Sequence, residues 1–240
     1  MNVGAFYIPK DEPPGEDAYF ICAEEQTVGV ADGVGAWALS GVDAGIYARE
    51  LMINSVAAIQ NQPNGAVNPK EVLKEAHLKT KAEGSTTALV VTLIGHHLHA
   101  ANVGDSGFMV FRGGKLVFQS PVQLHEFNYP FQLGSHHECD PPSSAEELSV
   151  AVKSGDVVVV GTDGLFDNMH AHDIADVVKE GQEEGVEPQQ LAEAIAQVAQ
   201  KISQDSSADT PVSRTASAKF GEKLEGGKPD DITVIVAYIV

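Results

Sequence analysis

Residues 157–168 read VVVVGTDGLFDN. Four consecutive β-branched valines spell a strand covered on both faces, and the run breaks at Gly161 into a segment carrying Asp163, Gly164 and Asp167. A buried strand thus delivers two carboxylates to one point. Carboxylates at a strand end are costly to leave unpaired, and the chain is poor in cations, so a bound metal is the expected partner. The same pattern recurs elsewhere. Glu16 and Asp17 follow a Pro-Pro-Gly turn, Asp32 ends a strand in VADGVGAW, Asp105 ends one in AANVGDSG, and Asp230 with Asp231 precedes the last strand. Gathered on one edge of a sheet assembly, these acids form an oxygen-only cage that suits Mg²⁺ or Mn²⁺ and not zinc.

The 240 residues are expected to form a single domain (1–240) with a large core. With 34 acidic against 15 basic residues the net charge is −19, which excludes nucleic acid or an anionic membrane bound through a basic face. Cys22 and Cys139 form no C-x-x-C spacing, so neither a disulfide-rich fold nor a structural zinc site is indicated. No apolar run approaches the ~20 residues that span a bilayer. The start MNVGAFYIPK has the make-up of neither a signal nor a transit peptide, so the expectation is a cytosolic chain, or one trimmed at Met1.

Periodicity predicts strands over 3–8, 18–23 and 27–31. A helix is predicted between 40 and 60, with Asp43 near its start and Val42, Ile46, Ile53, Val56 and Ala57 on one face. Asn68, Pro69 and Glu71 give an N-cap, a first-position proline and a capping-box acid for a second helix reaching about residue 82. Strands follow at 85–94 and 98–103, and a hairpin at 108–111 and 116–118. Residues 121–142 read as an irregular flap. Ile174, Val177 and Val178 mark a third helix, and Leu191, Ile195, Val198 and Ile202, just after Pro188, a fourth. Residues 203–227 read as a polar loop, and DDITVIVAYIV as a central strand. This order indicates α+β, not a βαβ winding.

GED at 15–17, ADGVGAW at 31–37, GSTTAL at 84–89, ANVGDS at 101–106, TDGLFD at 162–167 and KPDDIT at 228–233 occur in the order of one family. In these blocks the chain resembles the protein phosphatase 2C family, the metal-dependent PPM class of serine/threonine phosphatases, and in particular its short branch of plant plastids and mitochondria. The resemblance implies a four-layer α-β-β-α sandwich, two antiparallel sheets flanked by helices, with a binuclear Mn²⁺ or Mg²⁺ centre. Carried across by motif, Asp32 bridges the two ions, the Gly33 carbonyl meets one, and Asp163 and Asp230 ligate the other; these three aspartates are the expected catalytic set. Glu16 and Asp17 hold metal-bound waters, and Asp105 and Asp167 are the ligands of a weaker third ion. Asp231, which stands where the family usually has asparagine, completes the implied set of metal ligands.

The implied reaction is attack by a metal-bridging hydroxide on phosphoserine or phosphothreonine, with positioning and electrostatics supplying most of the rate. The implied partner is a phosphoprotein substrate; the chain is expected to be monomeric and to work in a plastid or mitochondrion, the cytoplasm being the alternative. Two positions depart from the family. Glu12 stands where many members carry a phosphate-binding arginine, leaving Lys10, Arg214 or Lys228 as substitutes, and Val34 replaces a histidine proposed to protonate the leaving group. These losses motivate an alternative, a catalytically weak metal-binding interaction module of the same fold.

Other readings fare worse. A cysteine-dependent phosphatase needs arginine six residues after its nucleophile, where Val28 and Ala145 stand. A haloacid-dehalogenase-like enzyme needs aspartate two residues before Asp163, where Gly161 stands. Trp37 reads as a core residue or one starting a helix in preference to a substrate platform. His96, His97 and His99 read as a solvated strand end, and the His136, His137, Glu138, Cys139 cluster as a poor zinc site. Cys22 and Cys139 remain candidates for a regulatory disulfide.

Overall fold

A computed structural model describes residues 1–63 and 65–240. They divide into two units, one of Met1, Pro14–Ser106 and Pro121–Lys153, the other of Asn2–Pro13, Gly107–Ser120 and Ser154–Val240. Each is built on a five-stranded antiparallel sheet carrying helices, so the fold is α+β with two main antiparallel sheets flanked by helices, as expected.

In the first unit the strand order is Glu146–Ala151, His97–Val103, Ala88–Ile94, Thr27–Asp32, Asp17–Cys22. The pairing places Asp17 directly opposite Asp32. Helix Ala44–Gln60 packs on the last two strands and Pro69–Lys79 on Ala88–Ile94 and His97–Val103. Asp43 caps the first helix, its Oδ1 accepting from Gly45 N at 2.9 Å. The predicted face of this helix is wrong. Tyr47, Ala48, Leu51, Met52 and Ile59 are buried, whereas Ile46 is 53% and Ile53 69% exposed. Two apolar stripes compete for the sheet, and the one with the larger side chains, with alanines that permit close approach, is the one interred.

The second helix stops at Lys79, short of residue 82. Glu50 takes the next free amides, Lys81 N at 3.1 Å and Ala82 N at 2.7 Å, and turns the chain away. Asn68 caps as predicted, but Glu71 does not close a capping box: Gln62 Oε1 accepts from Asn68 N at 2.7 Å and Glu71 pairs with Lys74. The strand expected over 85–94 divides at Thr87, and its first piece, Ser85–Thr86, pairs with Leu133–Gly134. The 121–142 segment also holds a short hairpin, Leu124–Glu126 with Tyr129–Pro130. Strand Glu146–Ala151 escaped the sequence reading because it is an edge, alternating half-buried and exposed residues without an apolar run.

In the second unit the order is Asn2–Ile8, Ile232–Tyr238, Val157–Gly161, Gly107–Arg112, Lys115–Gln119. The final strand is central, and Val157 to Val160 are each at most 1% exposed. Helices Ala171–Glu184 and Pro188–Ser203 supply Ile174, Val178, Leu191 and Ile195 to a core shared with Val157, Val159, Val234 and Val236. The 203–227 region is not all loop, since Pro211–Phe220 is helical. Thr210 caps it, its Oγ1 accepting from Ser213 N at 3.2 Å while Ser213 Oγ accepts from Thr210 N at 3.0 Å. Only Ser213 of this helix is buried, so it has no hydrophobic period to read. No helix among the described residues is long and apolar enough to cross a membrane.

Candidate metal-binding active site

Glu16, Asp17, Asp32, Gly33 and Asp105 lie in the first unit. Asp32 ends its strand opposite the buried Asp17, and Gly33 N then donates to Glu16 O at 3.1 Å. A Cβ on Gly33 would lie 2.9 Å from the carbonyl of Glu16 and from Ala44 C and O, so glycine is required by close approach. The Asp32 backbone is clamped by Thr87, whose N donates to Asp32 O at 2.9 Å and whose Oγ1 accepts from Asp32 N at 3.3 Å. The same hydroxyl lies 2.8 Å from Ser106 Oγ, beside Asp105. The GSTTAL and ANVGDS blocks therefore hold acids in place, a role the sequence does not state. Asn102 completes the Asp105 turn, donating to Gly104 O at 3.2 Å and Ser106 O at 2.9 Å.

Asp163, Asp167, Asp230 and Asp231 lie in the second unit. The short helix Asp163–Phe166 starts straight after strand Val157–Gly161, so Asp163 opens it and Asp167 caps it. Lys228 faces both acids, with Nζ at 2.5 Å from Asp163 Oδ2, 2.8 Å from Asp167 Oδ2 and 3.3 Å from Asp230 Oδ2. Burial, then the Asp163 charge, pushes the Asp167 carboxyl up to about 6. The same causes raise Asp230. Burial opposes the Lys228 charge, yet Asp163, Asp167 and Asp230 together hold its pKa above the usual lysine value. Lys10 is nearby, its N donating to Asp231 Oδ1 at 2.5 Å and its Nζ 3.8 Å from Asp230 Oδ1. Arg214 is committed elsewhere, forked onto Asp209 at 2.7 and 2.6 Å.

The donors are carboxylates and a backbone carbonyl, which is the chemistry of Mg²⁺ and Mn²⁺. Asp163 Oδ1 is buried without a hydrogen-bond partner, an atom that needs a cation or donor. The residues fit a hard divalent ion, although among the described residues no three His, Cys, Asp or Glu side chains are already closed around one point. In the second unit that point is held by the Lys228 ammonium.

Asn168, which carried no role in the sequence, fastens this arrangement. Its side chain donates to Gly164 O at 2.8 Å and Lys228 O at 2.9 Å and accepts from Lys228 N at 2.8 Å. Asn168→Ala strands these buried groups and is expected to lower stability by about 1–3 kcal/mol, read as a drop in melting temperature. An unchanged melting curve would show that the lysine loop does not depend on it.

Trp37 is not core. It is half-buried in the 3-10 segment Gly35–Ser40, donates from Nε1 to Ser85 Oγ at 2.6 Å, and lines a cleft of about 460 Å³ with Tyr129, His136 and Glu138. Cys22 and Cys139 are free thiols, both raised in pKa chiefly by burial.

A family model described as "Stage II sporulation protein E (SpoIIE)" matches residues 26–239. The chain is 51% identical to "Probable protein phosphatase 2C 55" of Arabidopsis thaliana, over 98% of its own length and 51% of that protein's. It is 41% identical to "Putative protein phosphatase 2C 24" of Oryza sativa subsp. japonica, over 100% of its own length and 77% of the other. The crystal structure of the photosystem II phosphatase PBCP superposes with a TM-score of 0.92 at 34% identity, covering 99% of this chain and 98% of that one. The chain spans about half the length of the first curated relatives it matches, 51% and 58%.

Proposed function

The chain belongs to the protein phosphatase 2C family, and from that premise we propose that it is a metal-dependent protein serine/threonine phosphatase in which residues 1–240 act as one catalytic domain. The observation that carries the reading is Asp163, a half-buried carboxylate just past a strand end whose Oδ1 is buried and has no protein donor. By the family's pattern, Asp32 with the Gly33 carbonyl in the first unit and Asp163 with Asp230 in the second would hold two Mn²⁺ or Mg²⁺ ions, with Glu16, Asp17, Asp105 and Asp231 as further candidate ligands. Such ions, when bound, supply activation of the attacking water and neutralise charge on the phosphoryl oxygens. Thr87 keeps the Asp32 backbone still, so little reorganisation accompanies the reaction. Val34 has no ionisable side chain, so that position supplies no acid for the leaving oxygen.

The substrate class is a phosphoprotein, with recognition placed on the Trp37–Tyr129 cleft and not on deep charge complementarity, because a chain of net charge −19 repels acidic targets. A plastid or mitochondrial setting is the location we favour. Phosphate release from a phosphothreonine peptide is expected with Mn²⁺ and not after EDTA, restored by adding the ion back. No release from several phosphopeptides, with Mn²⁺ shown to be bound, would overturn the reading in favour of a binding module.

A further inference from the structure

Lys228 is not a mobile surface lysine. Its backbone is bonded on both sides to Asn168, and the two glycines before it are tied down, Gly226 N to Ala208 O at 2.7 Å and Gly227 N to Asp205 O at 2.9 Å. From this anchored position its ammonium, which has three donors, meets three carboxylate oxygens at 2.5, 2.8 and 3.3 Å. The match is between donors and acceptors one to one.

We infer that Lys228 is a built-in cation of the centre, which removes Asp167 and the Oδ2 atoms of Asp163 and Asp230 from the metal-ligand set and leaves Asp163 Oδ1 as the buried oxygen open to an ion. The two oxygens of Asp163 then have different tasks. Oδ2 belongs to the lysine, and Oδ1, buried and without a donor, belongs to the metal. A divalent ion seeking the gap between Asp163 and Asp167 meets a fixed positive charge there, and expelling that charge strands a half-buried ammonium without its partners. Asp167 is therefore an ion-pair partner and not the ligand of a weaker third ion. The inference rests on the metal-dependent reading above, but an ion count tests it without any assay of catalysis.

Mn²⁺ bound per chain is counted by elemental analysis after gel filtration and by calorimetric titration, for the wild type, Lys228→Met, Lys228→Arg and Asp167→Asn. Lys228→Met is expected to gain one Mn²⁺ equivalent, Lys228→Arg none, and Asp167→Asn to bind as many as the wild type. Loss of an ion in Asp167→Asn, or no gain in a folded Lys228→Met, overturns the inference. Should Lys228→Met fail to fold, Asp167→Asn decides alone, an unchanged count supporting the built-in cation and a reduced one sinking it. Phosphopeptide hydrolysis measured on the same wild-type sample separates the two readings, since inactivity with these counts intact strikes only at the catalytic one.

Discussion

Asp163→Ala and Asp32→Ala are each expected to lower Mn²⁺-dependent hydrolysis of a phosphothreonine peptide by roughly 10³-fold or more, about 4 kcal/mol of transition-state stabilisation. The two carboxylates are lost from different settings. Asp163 supplies the one oxygen of its cluster that is buried without a protein donor, so alanine removes an ion's ligand and, with it, a partner of Lys228. Asp32 stands at the end of a strand whose backbone is clamped by Thr87, so alanine removes the carboxylate and leaves the frame. Melting curves should therefore separate them: Asp32→Ala is expected to stay close to the wild type in EDTA, whereas Asp163→Ala also disturbs the lysine's ion pairs. Asp167→Ala is the contrast, slowing turnover while retaining the ions held by Asp32, Asp163 and Asp230. Either of the first two variants working within tenfold of the wild type would remove its residue from the catalytic set.

Legibility in the sequence followed burial. Strands with both faces covered, Val157–Gly161 and Ile232–Tyr238, are plain because they are apolar at nearly every position, the buried Thr233 excepted. Edge strand Glu146–Ala151 and helix Pro211–Phe220 bury little, and so leave no period to detect. Helix Ala44–Gln60 was readable in extent, but its face was not, because Ile46 and Ile53 are as apolar as the residues that won the core. The acids are legible because each sits where an apolar strand meets a turn. Their supports leave no sequence signal, since Thr87, Asn102, Ser106 and Asn168 act through hydrogen bonds whose partners lie up to 60 residues away. Lys228 could be suspected as a lone cation beside PDD, yet only the fold shows it facing three carboxylates.

Gly164→Ala is expected to damage both stability and catalysis, although it adds a single methyl group within a helix. A Cβ at this position would lie 1.9 Å from Asp231 O, 2.9 Å from Asp231 C and 3.2 Å from Ile232 Cγ1. The approach is set by strand pairing and cannot relax cheaply. Ile232 is paired with Ile8, Thr233 N donates to Thr162 Oγ1 at 3.1 Å, Thr162 N donates to Thr233 O at 3.3 Å, and Asp231 Oδ1 accepts from Lys10 N. The methyl must therefore push the helix bearing Asp163 away from the segment bearing Asp230. Overpacking of this kind costs about 1–3 kcal/mol, and a shift of about 1 Å between catalytic groups lowers rates on the order of 10²-fold. The rate should be measured well below the melting transition of the variant, so that loss of folded protein does not pass for loss of geometry. A variant that melts with the wild type and turns over at its rate would mean that the Asp231 carbonyl yields freely, and that the spacing of Asp163 and Asp230 is not held by this contact.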